Sequence, residues 1–173
     1  MLPRTERLVL REMGPDDLPV VTSMLTDPVA MVSYNGPFTS REVQDWLSRQ
    51  LERYHSDGYG LWAVDLGATG QMIGQCGITW QDINGVRCPE VGYHIVREFW
   101  HQGFAAEAAL ACRDYAFTEL GMGEVFAQVR DINIASMNVA IRIGMTIRTR
   151  FIKQYRGSDM AHYAFSIRAS EVV

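Results

Sequence analysis

Apolar and polar residues alternate in some segments of this chain and recur at helical spacing in others. Strict alternation over residues 7–11 predicts a short first strand. A helical pattern follows a Pro- and Asp-containing start at residues 15–17, and a second helical pattern follows a capping-box sequence at Thr39 and Glu42. The chain therefore opens with one strand and two helices. A loop rich in Pro, Gly, Ser and Asn, over residues 26–38, joins the helices.

Strand patterns dominate the middle of the chain. Residues 61–65 and 72–80 are rich in apolar residues and flank a Gly-containing turn, which predicts a hairpin. Asn84-Gly85 is a second turn signal, because Asn-Gly favours tight hairpin connections. The next strand, over residues 90–96, leads into a glycine turn and an Ala-rich helix that runs towards Leu120.

The last third of the chain repeats the alternation of helix and strand. A strand over residues 125–129 precedes a helix over residues 133–145, which ends at a glycine. Two strands, over residues 146–155 and 160–168, close the chain around a turn at residues 156–159. The predicted order is β-α-α-β-β-β-α-β-α-β-β. Since no segment has the composition of a linker or a repeat, we expect one domain over the whole chain of 173 residues.

Composition and charge exclude several classes of protein. A net charge of −4 and a pI of about 5.5 give no basic surface, so nucleic acid is not an expected partner. No apolar run is long enough to span a membrane and no signal peptide is recognisable, so we expect a cytoplasmic monomer or homodimer. The three cysteines are scattered singly, which predicts neither disulfides nor a metal site.

The junction between the strand at residues 90–96 and the Ala-rich helix has the character of an anion site. Gly103 lies where the chain must turn tightly, and Ala105 and Ala106 begin the helix with almost no side-chain bulk. The first turn of a helix presents unpaired N–H groups and partial positive charge. These features suit a phosphate or pyrophosphate group.

This junction resembles the acyl-CoA pyrophosphate loop of the GNAT superfamily of N-acetyltransferases, whose pattern is Gln/Arg-x-x-Gly-x-Gly/Ala. Gly103 and Ala105 match that pattern, whereas Trp100 stands where Gln or Arg is usual. The form Trp-x-x-Gly-Tyr/Phe-Ala-x-Glu-Ala is typical of the RimJ/RimL branch, which acetylates the N-termini of ribosomal proteins. The predicted element order is also that of GNAT enzymes, so the resemblance covers nearly the whole chain.

The resemblance implies an α/β (α+β) fold: a mixed, mostly antiparallel sheet of about seven strands with helices on both faces. It also implies acetyl-CoA as cosubstrate, a primary amine as acceptor, and no metal. The residues expected to bind CoA are Tyr93, His94, Ile95, Val96, Gln102, Gly103, Phe104, Ala105, Ala106, Asn133 and Ser136. Glu107 also fits the family pattern, but a carboxylate there is favoured by the helix dipole, so we expect a structural role.

A second family signature, Asn-x-x-Ser/Ala before a helix, is similar to Asn133 and Ser136 here. In the family the Asn helps to hold CoA, and in the RimJ/RimL branch the Ser is proposed to lie near the CoA sulfur. Many family members place a Tyr four residues later to protonate the thiolate, but this chain has Ala140 there. Ser136 is therefore a candidate catalytic residue, alone or through a water. The alternative is that Asn133 is a helix cap and Ser136 a small packing residue.

Two residues of the strand before the loop could accept the proton of the incoming ammonium. Glu90 and His94 project to the same face of that strand, opposite to Tyr93, because side chains alternate. The resemblance places a proposed base at Glu90, and either group could act directly or through water. Glu90 could instead be an exposed charge at a strand start, and His94 a core histidine with a satisfied hydrogen bond.

The aromatic residues Tyr34 and Phe38 lie in the loop between the first two helices. Loop aromatics can line the mouth of a substrate site, and here they are candidates for binding the acceptor. The alternative is that they pack the loop onto the core.

The acceptor is open between a protein or peptide N-terminus and a small amine. At neutral pH an α-amino group, with a pKa of about 7.7–8.0, is easier to deprotonate than a lysine at about 10.4. A site without a strong acid or base therefore suits N-terminal and other low-pKa amines. The missing Tyr at Ala140 also leaves open a catalytically silent domain that only binds acyl-CoA.

Overall fold

The computed structural model describes residues 1–172, and Val173, the last residue of the expected domain, lies outside the described residues. Within that range, seven strands and four helices follow the predicted order. The strands are β1 (Leu8–Arg11), β2 (Leu61–Leu66), β3 (Met72–Ile83), β4 (Val86–Ile95), β5 (Glu124–Arg130), β6 (Thr146–Tyr155) and β7 (Ser158–Arg168). The helices are α1 (Leu18–Leu25), α2 (Ser40–Ser56), α3 (Phe104–Thr118) and α4 (Ile134–Arg142). Short 3₁₀ helices cover Pro15–Asp17, Ala30–Tyr34, Arg97–Phe99 and Ala169–Glu171.

The seven strands form one sheet in the order β1-β2-β3-β4-β5-β7-β6. Neighbouring strands run antiparallel, except that β4 and β5 are parallel. The expected α/β class and the mixed, mostly antiparallel sheet are therefore confirmed.

Side chains of β2 alternate between two covered faces of the sheet. Leu61 and Ala63 pack in a core cluster with α1 and α2, whereas Trp62 and Val64 pack in a larger cluster with α3. The last turn of α4 joins the larger cluster, where Ala140 is completely buried. The alternation of side chains thus explains why helices cover both faces, as expected from the sequence.

Helix α2 is the longest helix and begins at the predicted capping box. The Thr39 side chain accepts a hydrogen bond from the Glu42 amide at 3.3 Å, and the Glu42 carboxylate accepts one from the Thr39 amide at 2.7 Å. These bonds pair amide groups that a helix start leaves without partners. Within residues 1–172, no helix has both the length and the apolar content required to cross a membrane.

Strands β4 and β5 touch at one place and then separate. In the described residues their pairing joins Glu90 to Phe126. Beyond that point β4 stays paired with β3 as far as Ile95, and β5 stays paired with β7 as far as Arg130. Because each strand is held by its outer neighbour, the inner edges diverge and open a wedge in the middle of the sheet.

Two hairpin connections are tighter than the sequence pattern predicts. Strand β3 continues to Ile83, so the turn to β4 consists of Asn84 and Gly85, with φ values of 53° and 82°. Strand β7 begins at Ser158, so Arg156 and Gly157 alone form the last turn, with φ values of 49° and 74°. Positive φ at both central residues matches the natural twist of the strands, which allows the ladders to extend further.

The segment between α1 and α2, predicted as an irregular loop, contains the 3₁₀ helix Ala30–Tyr34. Two arginines from the far half of the sheet hold this segment in place. Arg130 donates to the carbonyl oxygen of Val32 at 2.9 Å, and Arg156 donates to that of Gly36 at 3.1 Å. The segment is therefore fixed beside the wedge between β4 and β5, which places Tyr34 there.

Candidate active site

The wedge between β4 and β5 is an open cleft of about 850 Å³. Its lining divides into two chemically different ends. One end contains the start of α3 and the start of α4, with small and backbone-rich residues such as Gly103 and Ala105. The other end contains polar and titratable side chains: Tyr34, Glu90, His94, Gln128 and Lys153.

The start of α3 offers backbone N–H groups to an anion. Gly103 has a φ of 83°, a left-handed value that glycine adopts without strain, and it is the N-cap of the helix. The first helical hydrogen bond is donated by the Glu107 amide to the Gly103 carbonyl oxygen at 3.0 Å. The amides of Phe104, Ala105 and Ala106 precede that bond, so they are available to a ligand in the cleft. A pyrophosphate fits this cradle.

Arg7 and Glu107 lock the loop from behind. Arg7 Nε donates to Glu107 Oε2 at 2.7 Å, and Arg7 Nη1 donates to the Gln102 carbonyl oxygen at 3.1 Å. The Arg7 guanidinium also lies 4.3 Å from the ring centre of Phe104. Glu107 therefore joins the segment just before β1 to α3, in keeping with the structural role expected for it. The Gln102 side chain is exposed and does not line the cleft.

Trp100 supports the loop from the strand side. Its indole Nε1 donates to the carbonyl oxygen of Ile95 at 2.7 Å. This contact accounts for a tryptophan at the position where the family pattern has Gln or Arg. Ile95 lines the cleft, but Val96 does not: its amide donates to the Ile73 carbonyl oxygen at 2.8 Å, and its side chain packs with the α1–α2 cluster. The Val96 amide is therefore occupied in the sheet and is not free for CoA.

Asn133 and Ser136 meet at the start of α4, where both line the cleft. Asn133 Oδ1 accepts a hydrogen bond from the Ser136 amide at 3.1 Å, so Asn133 is the N-cap of this helix. Asn133 therefore combines a capping bond with a position on the cleft. Ala140, at the position of the family's usual Tyr, is completely buried against the core. A tyrosine side chain has no room at this position. The Ser136 hydroxyl has a hydrogen-bond partner on β4.

That partner is Tyr93. The Tyr93 hydroxyl donates to the Ser136 carbonyl oxygen at 2.8 Å, and the Ser136 hydroxyl donates to Tyr93 Oη at 2.9 Å. Burial raises the pKa of Tyr93, so its hydroxyl keeps its proton at neutral pH. The sequence pattern predicts Tyr93 as a CoA-binding residue but does not indicate this pairing, which joins residues 43 positions apart.

Tyr93 and His94 both reach the cleft, although strand alternation places them on opposite faces. The reason is the divergence of β5 from β4 beyond Glu90. An exposed strand edge gives side chains of either face access to the opening beside it. Both faces of this strand therefore contribute residues to the cleft, in agreement with the expected CoA-binding set.

The ring of His94 is held by hydrogen bonds at both nitrogens. Trp46 Nε1 can only donate, and it donates to Gln75 Oε1 at 3.2 Å, which leaves Gln75 Nε2 to donate to His94 Nδ1 at 3.0 Å. His94 Nε2 therefore carries the hydrogen and donates to Tyr34 Oη at 2.7 Å. Burial lowers the pKa of His94 to about 4, so the ring is neutral. In this arrangement His94 has no lone pair for an ammonium proton and instead positions Tyr34.

The two loop aromatics have different positions. Tyr34 is half-buried and lines the cleft, and burial raises its pKa, so the phenol stays neutral and its O–H can donate into the cleft. Phe38 is buried in the α1–α2 cluster and does not line the cleft. Arg156 lies 5.3 Å from its ring centre. Phe38 therefore packs the loop onto the core and does not lie at the substrate mouth, where the sequence analysis predicted it.

Glu90 is the carboxylate of the site. Its Oε2 accepts a hydrogen bond from the Gln128 amide at 3.2 Å. Burial raises the pKa of Glu90 to about 7, and the positive charge of Lys153 and the bond from Gln128 oppose that rise. A carboxylate with such a pKa can take a proton and release it again near neutral pH.

Gln128 and Lys153 also line this end of the cleft, and the sequence does not reveal them. Gln128 lies on β5 and Lys153 on β6, and the Lys153 ammonium donates to Gln128 Oε1 at 3.1 Å. Neither residue belongs to a motif. One local signal exists: Lys153 is the single lysine in a sequence with fifteen arginines.

The described residues contain no cluster of three His, Cys, Asp or Glu side chains that could hold a metal ion. Cys76, Cys88 and Cys112 are buried free thiols. The groups at the cleft that could take part in chemistry are the hydroxyl pair Tyr93–Ser136, the carboxylate of Glu90 and the amides at the start of α3.

Comparison with known proteins connects this cleft to a family. Residues 7–146 match the model described as Acetyltransferase (GNAT) domain. The "Uncharacterized protein YkkB" of Bacillus subtilis is 37% identical over 142 residues, which cover 82% of this chain and 83% of that protein. The "FsC-acetyl coenzyme A-N(2)-transacetylase" of Aspergillus fumigatus is 31% identical over 162 residues, which cover 87% of this chain and 67% of that protein.

Solved structures resemble the whole fold. An acetyltransferase from Agrobacterium tumefaciens has a TM-score of 0.81 at 30% identity, covering 95% of this chain and 92% of its own. RimL, a ribosomal alpha-N-protein acetyltransferase in complex with coenzyme A, has a TM-score of 0.77 at 14% identity and covers 99% of both chains. A spermidine N-acetyltransferase from Vibrio cholerae, in complex with CoA and spermine, has a TM-score of 0.75 at 20% identity, covering 96% and 98%. The last two share the fold alone, and they are named for very different acceptors.

Proposed function

The chain belongs to the GNAT acetyltransferase family, and we propose that it transfers the acetyl group of acetyl-CoA to an α-amino group, such as the N-terminus of a protein or peptide. The observation that carries this proposal is the position of Glu90, which lines the cleft and accepts a hydrogen bond from the Gln128 amide, and whose pKa burial raises to about 7. Proton transfer from an α-ammonium, with a pKa of about 7.7–8.0, to such a carboxylate costs about 1 kcal/mol. Transfer from a lysine ammonium costs about 4–5 kcal/mol.

Acetyl-CoA would lie along the cleft with its pyrophosphate at the start of α3. The amides of Phe104, Ala105 and Ala106 are the donors for that group. Asn133 and Ser136, at the start of α4, line the path towards the reacting end. The loop is held ready by Arg7, Glu107 and Trp100, so little ordering is needed when the cosubstrate binds.

An α-ammonium loses two protons when it becomes an amide, and the sulfur gains one, so one proton is released overall. Glu90 takes the first proton, and the free amine attacks the thioester carbonyl carbon, so that the C–N bond forms as the C–S bond breaks. The second proton leaves the nitrogen through solvent. The Tyr93 hydroxyl turns from the Ser136 carbonyl oxygen to the departing thiolate and protonates it, and solvent then restores the proton of Tyr93. Tyr93 is the better donor of the two, because a phenol is a stronger acid than an aliphatic hydroxyl. Ser136 would orient it.

A small-molecule amine is the second candidate acceptor. The Aspergillus fumigatus relative, which is 31% identical to the chain, is named an FsC-acetyl coenzyme A-N(2)-transacetylase, and this name does not refer to a protein N-terminus. The RimJ/RimL assignment has weaker support, since RimL shares only 14% identity and the fold. A silent acyl-CoA-binding domain is the least favoured reading, because a base and a proton-donor pair both line the cleft.

An acceptor panel tests the proposal. The purified protein is incubated with acetyl-CoA and either peptides with free N-termini, the same peptides with blocked N-termini and one lysine, or diamines and polyamines. Thiol release and mass spectrometry report the acetylated position. We expect acetylation of the free α-amines and little of the lysine side chains. Preferential acetylation of lysines or polyamines, or no thiol release with any acceptor, would overturn the proposal.

A further inference from the structure

The side chains that line the cleft carry more positive than negative charge. Among the described residues that line the cleft, Glu90 is the single acid, whereas Lys153, Arg130 and Arg142 are cations. Such a lining disfavours an acceptor with several positive charges, because Glu90 can neutralise one of them and the cations repel the rest. The acceptor that fits is one with a single amine.

The side-chain amide of Gln128 is fixed in one orientation. Lys153 Nζ is a donor without acceptor capacity, so the Gln128 atom that faces it at 3.1 Å must be the oxygen, Oε1. Gln128 Nε2 is then buried, and the Gln128 side chain lies beside Glu90, where it opposes the rise in the pKa of that carboxyl group. The oxygen of Gln128 therefore holds the Lys153 ammonium in place at the cleft.

The Lys153 ammonium has N–H groups beyond the one that it donates to Gln128. Its ammonium carries three hydrogens, and within the described part of the chain it makes one side-chain hydrogen bond, to Gln128, and no ion pair. The side chain is half-buried and lines the cleft. A half-buried ammonium that lines the cleft and keeps spare N–H groups is a donor suited to a carboxylate.

We propose that Lys153, held in place by Gln128, binds a carboxylate of the acceptor, so that the acceptor carries a carboxylate close to its reactive amine. Glu90, whose Oε2 accepts from the backbone amide of the same Gln128, would then receive the proton of that amine. Two acceptors share this chemistry: a free α-amino acid, through its α-carboxylate, and a peptide that begins with Asp or Glu, through its first side chain. The inference rests on the proposed function and narrows its acceptor.

Matched acceptors decide between the two sources. One pair is a free amino acid and its primary amide, which lacks the α-carboxylate. The other pair is two peptides that differ in an N-terminal Asp or Asn. We expect the carboxylate member of one pair to have a kcat/KM about 10- to 100-fold higher, as charged hydrogen bonds contribute. Equal kcat/KM values within both pairs would overturn the inference. Acetylation of α-amines, and hence the proposed function, would still stand.

Variants assign the effect to Lys153. Lys153→Met should lower the ratio of kcat/KM for the preferred carboxylate acceptor over its neutral partner about 10-fold or more, because any effect through the pKa of Glu90 applies equally to both acceptors. Lys153→Arg, which keeps the charge, should retain part of the preference. Arg150→Met, on the same strand but exposed, serves as the control. A Lys153→Met variant that still discriminates between the matched acceptors as the wild type does would contradict the assignment.

A measurement without turnover keeps the test independent of activity. Because Lys153 is the single lysine in the sequence, reductive methylation of this side chain can be followed by peptide mass spectrometry. With saturating CoA, the preferred carboxylate compound should slow methylation of Lys153 and its amide should not. No difference between any carboxylate and its amide would overturn the inference, even if no acceptor is turned over.

Discussion

The hydroxyl of Tyr93 lies 2.9 Å from Oγ of Ser136 and 2.8 Å from the carbonyl oxygen of the same residue. This double contact ties strand β4 to the first turn of α4 at the edge of the cleft. The Tyr93 hydrogen points to the Ser136 carbonyl oxygen, so the Ser136 hydrogen points to Tyr93 Oη. The two hydroxyls therefore form one hydrogen-bonded pair, and the contribution of each to the rate can be measured separately.

Replacing each hydroxyl should lower kcat by different amounts. Tyr93→Phe removes the stronger acid, and we expect kcat to fall about 10- to 100-fold with the KM for acetyl-CoA nearly unchanged, because the interaction matters mainly in the transition state. Ser136→Ala removes the orienting group and should cost less. Initial rates at saturating acceptor give both values. If kcat of both variants stays within about twofold of the wild type, well short of a general-acid contribution, solvent is the proton source.

The activity should depend on the ionisation of Glu90. Because burial raises the pKa of Glu90 to about 7, the base is formed only as the pH rises through 7. We expect kcat/KM for the acceptor to increase across that range, and Glu90→Gln to lower it by about 10²- to 10⁴-fold. Initial rates between pH 5.5 and 9 give the profile. A Glu90→Gln variant with the rate and pH profile of the wild type would exclude Glu90 as the base.

The ionised carboxylate of Glu90 should lower the free energy of unfolding at high pH. The pKa of Glu90 is raised from 4.5 to about 7, so the folded state favours the protonated carboxyl group. The free energy of unfolding therefore falls as the pH rises from 4.5 through 7. Glu90→Gln stays neutral and can still accept the bond from the Gln128 amide. At pH 8 we expect its free energy of unfolding to exceed that of the wild type by about 2–3 kcal/mol.

Denaturant unfolding at pH 4 and pH 8 provides the measurement for this stability difference. At pH 4 both proteins carry a neutral side chain at position 90, so their stabilities should converge. A difference of the same size at both pH values would show that burial of the charge is not its cause.

Gly103→Val should abolish CoA binding and leave the domain folded. A valine Cβ has room, since the nearest atom is Arg7 Nη2 at 3.5 Å, but a φ of 83° strains a β-branched residue by about 1–2 kcal/mol. The loop should therefore move and disperse the amides that face the pyrophosphate. Gly121→Val is the matched control, because Gly121 has a φ of 65° at the other end of α3 and does not line the cleft. Calorimetry that finds unchanged CoA affinity in folded Gly103→Val would remove this site.

Asn133→Ala should weaken CoA binding in addition to removing a helix cap. Loss of the cap should cost about 1 kcal/mol of unfolding free energy. Thr39→Ala removes the cap of α2, which lies away from the cleft, and should cost a similar amount without changing the CoA affinity. If the two variants lose equal stability and both bind acetyl-CoA as the wild type does, Asn133 is only a cap.

The sequence by itself determined the element order, the fold class and the start of α3. Each of these follows from local physics: apolar periodicity selects helix or strand, Thr39 and Glu42 start a helix through bonds three residues apart, and Gly103 supplies a backbone angle that other residues adopt at a cost. The same local rules indicated that Asn133 caps α4. A single sequence carries these signals because the interacting groups lie within one turn of each other.

The tertiary structure alone decided the chemistry of the polar end of the cleft. The contact between Tyr93 and Ser136 spans 43 residues, and the contact between Gln128 and Lys153 spans 25. His94 lost its expected role as a base because Gln75, held in turn by Trp46, occupies its lone pair. Phe38 packs in the core, whereas Tyr34 from the same loop lines the cleft.

These outcomes share one physical cause. Which atom of a side chain is left free depends on the hydrogen bonds that its neighbours make, and those neighbours come from other elements of the sheet. The pKa of Glu90 follows the same rule, since it is set by burial and by Lys153, which lies 63 positions further along the chain. Sequence periodicity places a residue on a face, but the divergence of β4 and β5 determines which faces open onto the cleft.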